Sequence, residues 1–115
     1  MSTGSLIDLL HGYLSVASNR QQVIAANMAN VDTPGYHARD INFQAALQQA
    51  VNAEGIGQQL EPASIEVQGL PERPDGNDVN IDRESMLLSE TQLQYQMGVA
   101  LIKDQFQTLL TAIKE

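Results

Sequence analysis

All four prolines of this 115-residue chain fall between residues 34 and 74. Proline removes a backbone donor and clashes with the preceding turn of a helix. Long helices are therefore confined to the two proline-free ends, and turns to the middle. The N-terminal end predicts a helix from about Ser5 to about Val31, roughly 40 Å at 1.5 Å per residue. Leu6, Leu10, Tyr13, Ala17, Ile24 and Val31 recur at spacings of three, four and seven, and Leu9, Val16 and Val23 widen the stripe. Arg20 and Asn27 interrupt it, and Gly12 is a weak helix former within the segment.

The C-terminal end predicts a second helix from about Arg83 to Lys114. Leu88, Tyr95, Val99, Ile102, Phe106, Leu109 and Ile113 share one stripe, with Gln92 in its polar slot. Met86, Leu93, Met97 and Ala100 form a second, adjacent stripe. One antiparallel partner within the chain would satisfy a single stripe, so two stripes point to self-assembly or a heteromeric bundle.

Between the helices, Thr33-Pro34-Gly35-Tyr36 places Pro and Gly at the central positions of a type II turn. Phe43, Ala46, Leu47, Ala50 and Val51 follow as a short amphipathic helix. Residues 55–77 carry Gly55, Gly57, Pro62, Gly69, Pro71, Pro74 and Gly76 and read as loop, with one short strand over Ser64–Gln68. Asp78-Val79-Asn80-Ile81-Asp82 alternates polar and apolar residues, an extended lead-in with Asp82 as the expected N-cap. The expected fold is all-α. Two long terminal helices pack as a coiled-coil-like pair around a short helix and a mostly irregular insertion. The chain divides into 1–36, 37–77 and 78–115 within one structural unit.

The chain carries 14 acidic and 6 basic residues, a formal charge of −8. Nucleic-acid phosphates and anionic membrane surfaces both need clustered Lys and Arg, so neither is an expected partner. Cysteine is absent, which excludes disulfides and thiolate sites. No stretch is long and apolar enough to span a membrane, and the first residues lack the basic and apolar regions of a cleaved signal peptide. The charge is unevenly spread. Residues 1–31 sum to zero, 32–82 to −7 and 83–115 to −1. The helical ends substitute amides for charge: Gln21, Gln22, Asn27, Asn30, Gln92, Gln94, Gln96, Gln105 and Gln107. Amides cross a protein contact without the desolvation cost of an ion.

Asp75, Asp78, Asn80, Asp82 and Glu84 suggest a calcium loop only in part. Counted from Asp78, position 6 is Arg83 where glycine is required, and position 12 is Ser89 where Glu is required. No nucleophile motif or carboxylate pair is recognisable, and His11 and His37 read as interface or solvent residues. No enzyme activity, cofactor or metal is expected.

The most informative string is Ala26-Asn27-Met28-Ala29-Asn30-Val31-Asp32-Thr33-Pro34-Gly35-Tyr36. Asn is a poor residue inside a helix. Two of them three apart share a face, so their amides are expected to be used. The string resembles the A-N-x-A-N-x-x-T-P-G-Y signature of flagellar axial proteins, the rod and hook subunits. Tyr36-His37-Ala38-Arg39-Asp40-Ile41-Asn42-Phe43 resembles the continuation in the proximal-rod, FlgB-type family. Asp75-Gly76-Asn77-Asp78-Val79-Asn80-Ile81-Asp82-Arg83-Glu84 is similar to that family's D-G-N-x-V-x-x-D-R-E segment, and Gln92-Leu93-Gln94-Tyr95-Gln96 to its L-x-Y-Q. The central region is shorter than is usual in the family.

The resemblance implies a structural subunit that assembles with other rod proteins into a hollow helical drive shaft. It implies paired terminal helices lining the inner layer, with Asn27 and Asn30 bonding between helices or subunits. Thr33, Pro34, Gly35 and Tyr36 would set the chain's exit from that layer. With the stripe Leu88, Tyr95, Val99, Ile102, Phe106, Leu109 and Ile113, these are the expected assembly residues. The implied partners are the other rod subunits, the ring-junction adaptor, the membrane base ring and the export apparatus. The implied location is the basal body in the cell envelope, reached through flagellar type III export without a cleaved signal peptide. Helix termini that are partly disordered in the monomer would order on assembly. Another axial subunit, and a helical adaptor or binding module, stay open as readings.

Overall fold

The computed structural model describes residues 3–52 and 64–114. Five elements follow in order: α1 (Thr3–Ala29), β1 (Arg39–Ile41), α2 (Phe43–Asn52), β2 (Ser64–Glu66) and α3 (Ile81–Lys114). The fold is mostly helical and elongated, 65 × 26 × 19 Å. β1 and β2 pair antiparallel, with Asp40 opposite Ile65. β1 was not expected from the sequence, because three residues are too few for a period of two to show. β2 is shorter than the strand expected over Ser64–Gln68. The part of the expected 55–77 loop before residue 64 lies outside the described residues.

α1 is the central element, with α3 along one flank and α2 and β1 along another. Val16, Ile41 and Ala46 form a small core, joined by Val23 and Phe43. The Tyr13 and Phe43 rings meet edge to face at 5.3 Å. Beside them Arg20 Nε donates to Asp40 Oδ1 at 3.0 Å, fixing β1 against α1.

The two long helices run antiparallel: Asn27 meets Glu84 at one end and Tyr13 and Leu14 flank Gly98 further along. The α3 residues buried in this seam are Glu84, Leu87, Thr91 and Gly98. This set is neither of the two apolar stripes. The residues that let α1 approach are small or polar. Thr91 returns its hydroxyl to Leu87 O at 2.7 Å, so it enters the seam without an orphaned donor. Gly98 offers no side chain at all: a Cβ there would lie 2.7 Å from Leu14 Cδ2.

The helix boundaries follow from their caps. Asn42 Oδ1 accepts from Ala45 N at 3.1 Å and opens α2. The N-cap of α3 is Asn80, whose Oδ1 accepts from Arg83 N at 3.2 Å. Asp82, the expected cap, instead lies in the first turn, where its charge still suits the helix dipole. α1 ends at Ala29, two residues before the expected Val31, because the chain turns tightly from Asn30 onward.

Candidate functional site

Where α1 ends, α3 begins and β1 runs past, side chains from all three meet around Asn27, which is fully buried. Its carboxamide makes four hydrogen bonds. Oδ1 accepts from Arg39 N at 3.0 Å and from Tyr36 Oη at 3.1 Å. Nδ2 donates to Arg39 O at 2.7 Å and to Glu84 Oε1 at 3.2 Å. The pair of bonds to one residue's N–H and C=O is the pattern of a neighbouring strand. Asn27 thus closes the edge of β1 that β2 leaves open, and no buried peptide group of Arg39 is orphaned. Asn30 behaves differently. Its Nδ2 donates to Ala26 O at 2.8 Å and its Oδ1 accepts from Thr33 Oγ1 at 3.0 Å, both local and exposed.

The Thr33–Tyr36 segment forms the expected turn, with Tyr36 N donating to Thr33 O at 3.2 Å and Gly35 at φ +75°. A second turn grips it. Pro74-Asp75-Gly76 is closed by Gly76 N to Arg73 O and Arg73 N to Asn77 O, both 2.8 Å, with Gly76 left-handed at φ +83°. This is a three-residue loop of the type I plus bulge kind. The turns touch backbone to backbone: Gly35 N donates to Asp75 O at 2.9 Å, and a Cβ on Gly76 would lie 3.4 Å from Gly35 Cα.

Loop 73–80 also serves the C-terminal end of α1, where the last carbonyls of a helix lack intrahelical donors. Asn77, fully buried, donates from Nδ2 to Asn30 O at 2.9 Å and to Thr33 O at 2.8 Å. Arg73 bonds Val31 O and, at 2.7 Å, Val79 O. The acidic string that invites a calcium reading is engaged in this architecture. Asp78 Oδ1 accepts from Ala38 N at 2.6 Å, Asp75 Oδ1 accepts from Asn77 N at 3.0 Å, and Asn80 caps α3.

Glu84 and His37 both hold a proton more tightly than their ordinary values imply. Burial pushes the Glu84 carboxyl above its ordinary value and Asp40 adds to this, outweighing the Asn27 bond and the Arg83 and Arg20 charges. Its Oε2 is buried without a hydrogen-bond partner among the described residues, a poor setting for a full negative charge. The bond to Asp78, at 3.3 Å, raises His37, aided by the charges of Asp78, Glu66 and Glu72 and opposed by desolvation. The folded chain therefore binds more protons than the unfolded chain above pH 4.5 for Glu84 and above pH 6.5 for His37. Stability must then fall as pH rises through each raised value. The urea midpoint is expected to decline as pH rises above 4.5, through Glu84, and again above 6.5, through His37. Glu84→Gln should flatten the lower part of that decline and His37→Gln the upper part. A wild-type midpoint that rises across this range would contradict the geometry of both groups.

Away from this junction and from the seam with α1, the described residues leave much of α3 uncovered. Of the large apolar side chains exposed among the described residues, all but Ile65 belong to α3. From Val99 to Lys114 no residue is buried. Of the expected assembly stripe, Leu88, Val99 and Ile102 are half-buried, whereas Tyr95, Phe106, Leu109 and Ile113 are exposed. The structure groups Asn27, Asn30, Thr33, Gly35 and Tyr36 at the junction, with Pro34 exposed at its rim. The C-terminal stripe extends along α3 away from them. Sequence reasoning missed Arg73, Asn77, Glu84 and Gly98. The Pro-Asp-Gly turn signal and a lone glycine inside a helical pattern were the available clues.

A family described as flagella basal body rod protein matches residues 14–37, from the middle of α1 through the first turn. The flagellar basal body rod protein FlgB of Escherichia coli is 34% identical over 120 residues, covering 88% of this chain and 87% of that protein. FlgB of Aeromonas hydrophila is 34% identical over 119 residues, with 91% and 90% covered. FlgB of Salmonella typhimurium is 32% identical over 120 residues, with 88% and 87% covered. No helix among the described residues is long and apolar enough to cross a membrane.

Proposed function

We propose, for a chain that belongs to the FlgB family of flagellar basal body rod proteins, that the surface left bare on α3 is where it meets neighbouring subunits of the rod. The chain is a structural subunit of the flagellar basal body rod. Its finer place is our reading: the proximal end of a hollow shaft, joining the membrane base ring to the distal rod. The ring-junction adaptor and the export apparatus are its further partners on this reading. It reaches the periplasmic part of the envelope by flagellar export, without a cleaved signal peptide.

One observation carries this reading. α3 has 34 residues, and its C-terminal half displays Phe106, Leu109, Leu110 and Ile113, none of them buried by the described residues. An isolated chain gains nothing from such a surface, whereas a subunit buries it on assembly. The junction around Asn27 has the complementary role. It holds α1, β1 and α3 at fixed angles, so that the bare helix leaves the body of the subunit in a defined direction.

The test separates assembly from folding. Phe106→Glu with Ile113→Glu places two charges on surface that is already exposed, so the urea midpoint of the purified chain should shift by under ~0.5 kcal/mol equivalent. In cells the same variant should abolish swimming and leave basal bodies without a complete rod. Normal motility would overturn the assembly reading of this stripe.

A further inference from the structure

We propose that His37 is a proton-operated latch: its imidazolium, held between Asp78 and Glu72, keeps residues 67–80 pressed against the exit of α1, and loss of its proton loosens that segment while the α1–α3 seam stays closed. The inference goes beyond the assembly reading and concerns the folded chain alone.

His37 follows the first turn, on the segment that leads from α1 to β1. Its Nδ1 lies 3.3 Å from Asp78 Oδ2 and 3.8 Å from Glu72 Oε1. Both carboxylates belong to the segment between β2 and α3. The Asp78 side chain is only 5% exposed, and its other oxygen accepts from Ala38 N at 2.6 Å. A carboxylate buried to that degree needs a cation or several donors. Among the described residues, His37 is the one ion-pair partner of both Asp78 and Glu72. The bases nearby are engaged elsewhere. Arg39 bonds Ser64 O and reaches Glu66 at 3.9 Å. Arg73 bonds Val31 O and Val79 O and reaches Asp75 at 4.0 Å.

A neutral ring can still donate from Nδ1 to Asp78. What deprotonation removes is the positive charge facing Asp78, Glu72 and, from β2, Glu66. Three carboxylates then surround an uncharged ring and repel one another. Their segment is the one that closes the junction. Asp75 O accepts from Gly35 N, Asp78 N donates to Tyr36 O, and Asn77 holds Asn30 O and Thr33 O. Within residues 67–80 only Val79 is a buried apolar side chain, so the segment can open without the rest of the fold. The seam residues Leu87, Thr91 and Gly98 are uncharged and lie further along α3. The closed form holds the His37 proton more tightly than the open form does, because the ring's value is raised. The latch therefore contributes fully below pH 6.5 and is lost as pH rises through the raised value. The same segment ends in Asn80, the cap of α3. The direction in which α3 leaves the junction is thus fixed at low pH and freer at high pH.

Hydrogen exchange of the purified full chain, followed by NMR from about pH 6 to about pH 8.5 and corrected for base catalysis, reads the latch directly. Protection of the Gly35, Ala38 and Asp78 amides should fall about two- to fivefold relative to Thr91 and Gly98, the range expected of a partly exposed ion pair. In His37→Gln these amides should be weakly protected at every pH. In His37→Arg, which keeps the charge, they should stay protected throughout. A parallel fall at the junction and the seam would show opening of the whole fold and overturn the latch. So would a wild-type pH response in His37→Gln, or a junction as open in His37→Arg as in His37→Gln. Should the His37 variants fail to fold, Glu72→Gln on the exposed side of the ring serves instead. It should shrink the pH response and lower the midpoint of the His37 ring titration. A ring midpoint that Glu72→Gln leaves unchanged would refute the proposal.

Discussion

Asn27→Ala is expected to destabilise the folded chain by about 3–5 kcal/mol, a large share of what a small domain possesses. The substitution removes four hydrogen bonds at once. It leaves Arg39 N and O, Tyr36 Oη and Glu84 Oε1 each without the partner they have in the folded chain. The site is fully buried, so water does not replace the lost amide without opening the junction. Glu84 is left with only the Arg83 Nη1 contact to Oε1, at 3.2 Å, because its other carboxylate oxygen has no partner among the described residues. Asn30→Ala is the control. Its bonds stay within one exposed turn, and its loss should cost under ~1 kcal/mol. Urea denaturation of both variants reads the difference directly. In cells, Asn27→Ala should stop swimming and Asn30→Ala should not. Equal costs for the two asparagines would contradict the junction described above, and normal motility of the double variant would remove any role for these amides in assembly.

Gly98→Leu should loosen the α1–α3 pair by about 3 kcal/mol or more, by overpacking instead of lost bonding. The Cβ alone would sit 2.7 Å from Leu14 Cδ2 and 3.0 Å from the Tyr13 ring. A leucine adds three further carbons to a seam that has no room for one. Because Tyr13 also packs on Phe43, the strain passes through α1 to α2. Gly98→Ala is the instructive intermediate. Leu14 can yield by rotating its side chain, and alanine improves helix propensity by about 1 kcal/mol. Its net cost should therefore be near zero, up to ~2 kcal/mol. Ala100→Leu, on the exposed side of the same helix, should be neutral. Near-ultraviolet circular dichroism of the tyrosines together with urea midpoints distinguishes the cases. A Gly98→Leu chain as stable as the wild type would mean that the helices do not approach as closely as this seam requires.

How much of the fold was legible in the sequence depended on the range of the interaction behind each feature. The Thr33–Tyr36 turn and α2 were legible because local chemistry sets them: proline's fixed φ, a glycine that accepts positive φ, and spacing within ten residues. The cap of α3 was misplaced by two residues because Asn80 and Asp82 are both good caps, and their sequence positions alone do not rank them. Asn27 was legible as anomalous, since asparagine is a poor helix former. Its strand-like pairing with Arg39 and its bond to Glu84, 57 residues away, were not. The same holds for Asn77, which reaches back 47 residues to Asn30.

By itself the sequence determined two long helices, the turn that ends the first, a neutral pair of ends around an acidic middle, and the motifs that mark the family. Periodicity, proline placement and charge are properties of neighbouring residues, so they are written in the order of the chain. Only the tertiary structure decided which face of α3 meets α1. Two apolar stripes competed for that place in the sequence, and both were passed over for Glu84, Leu87, Thr91 and Gly98. The physical reason is that a helix pattern reports what a side chain avoids, namely water, and is silent on how closely a partner must approach. Close approach favoured a glycine and a self-satisfied threonine, and that choice left most of the large apolar residues of α3 facing outward.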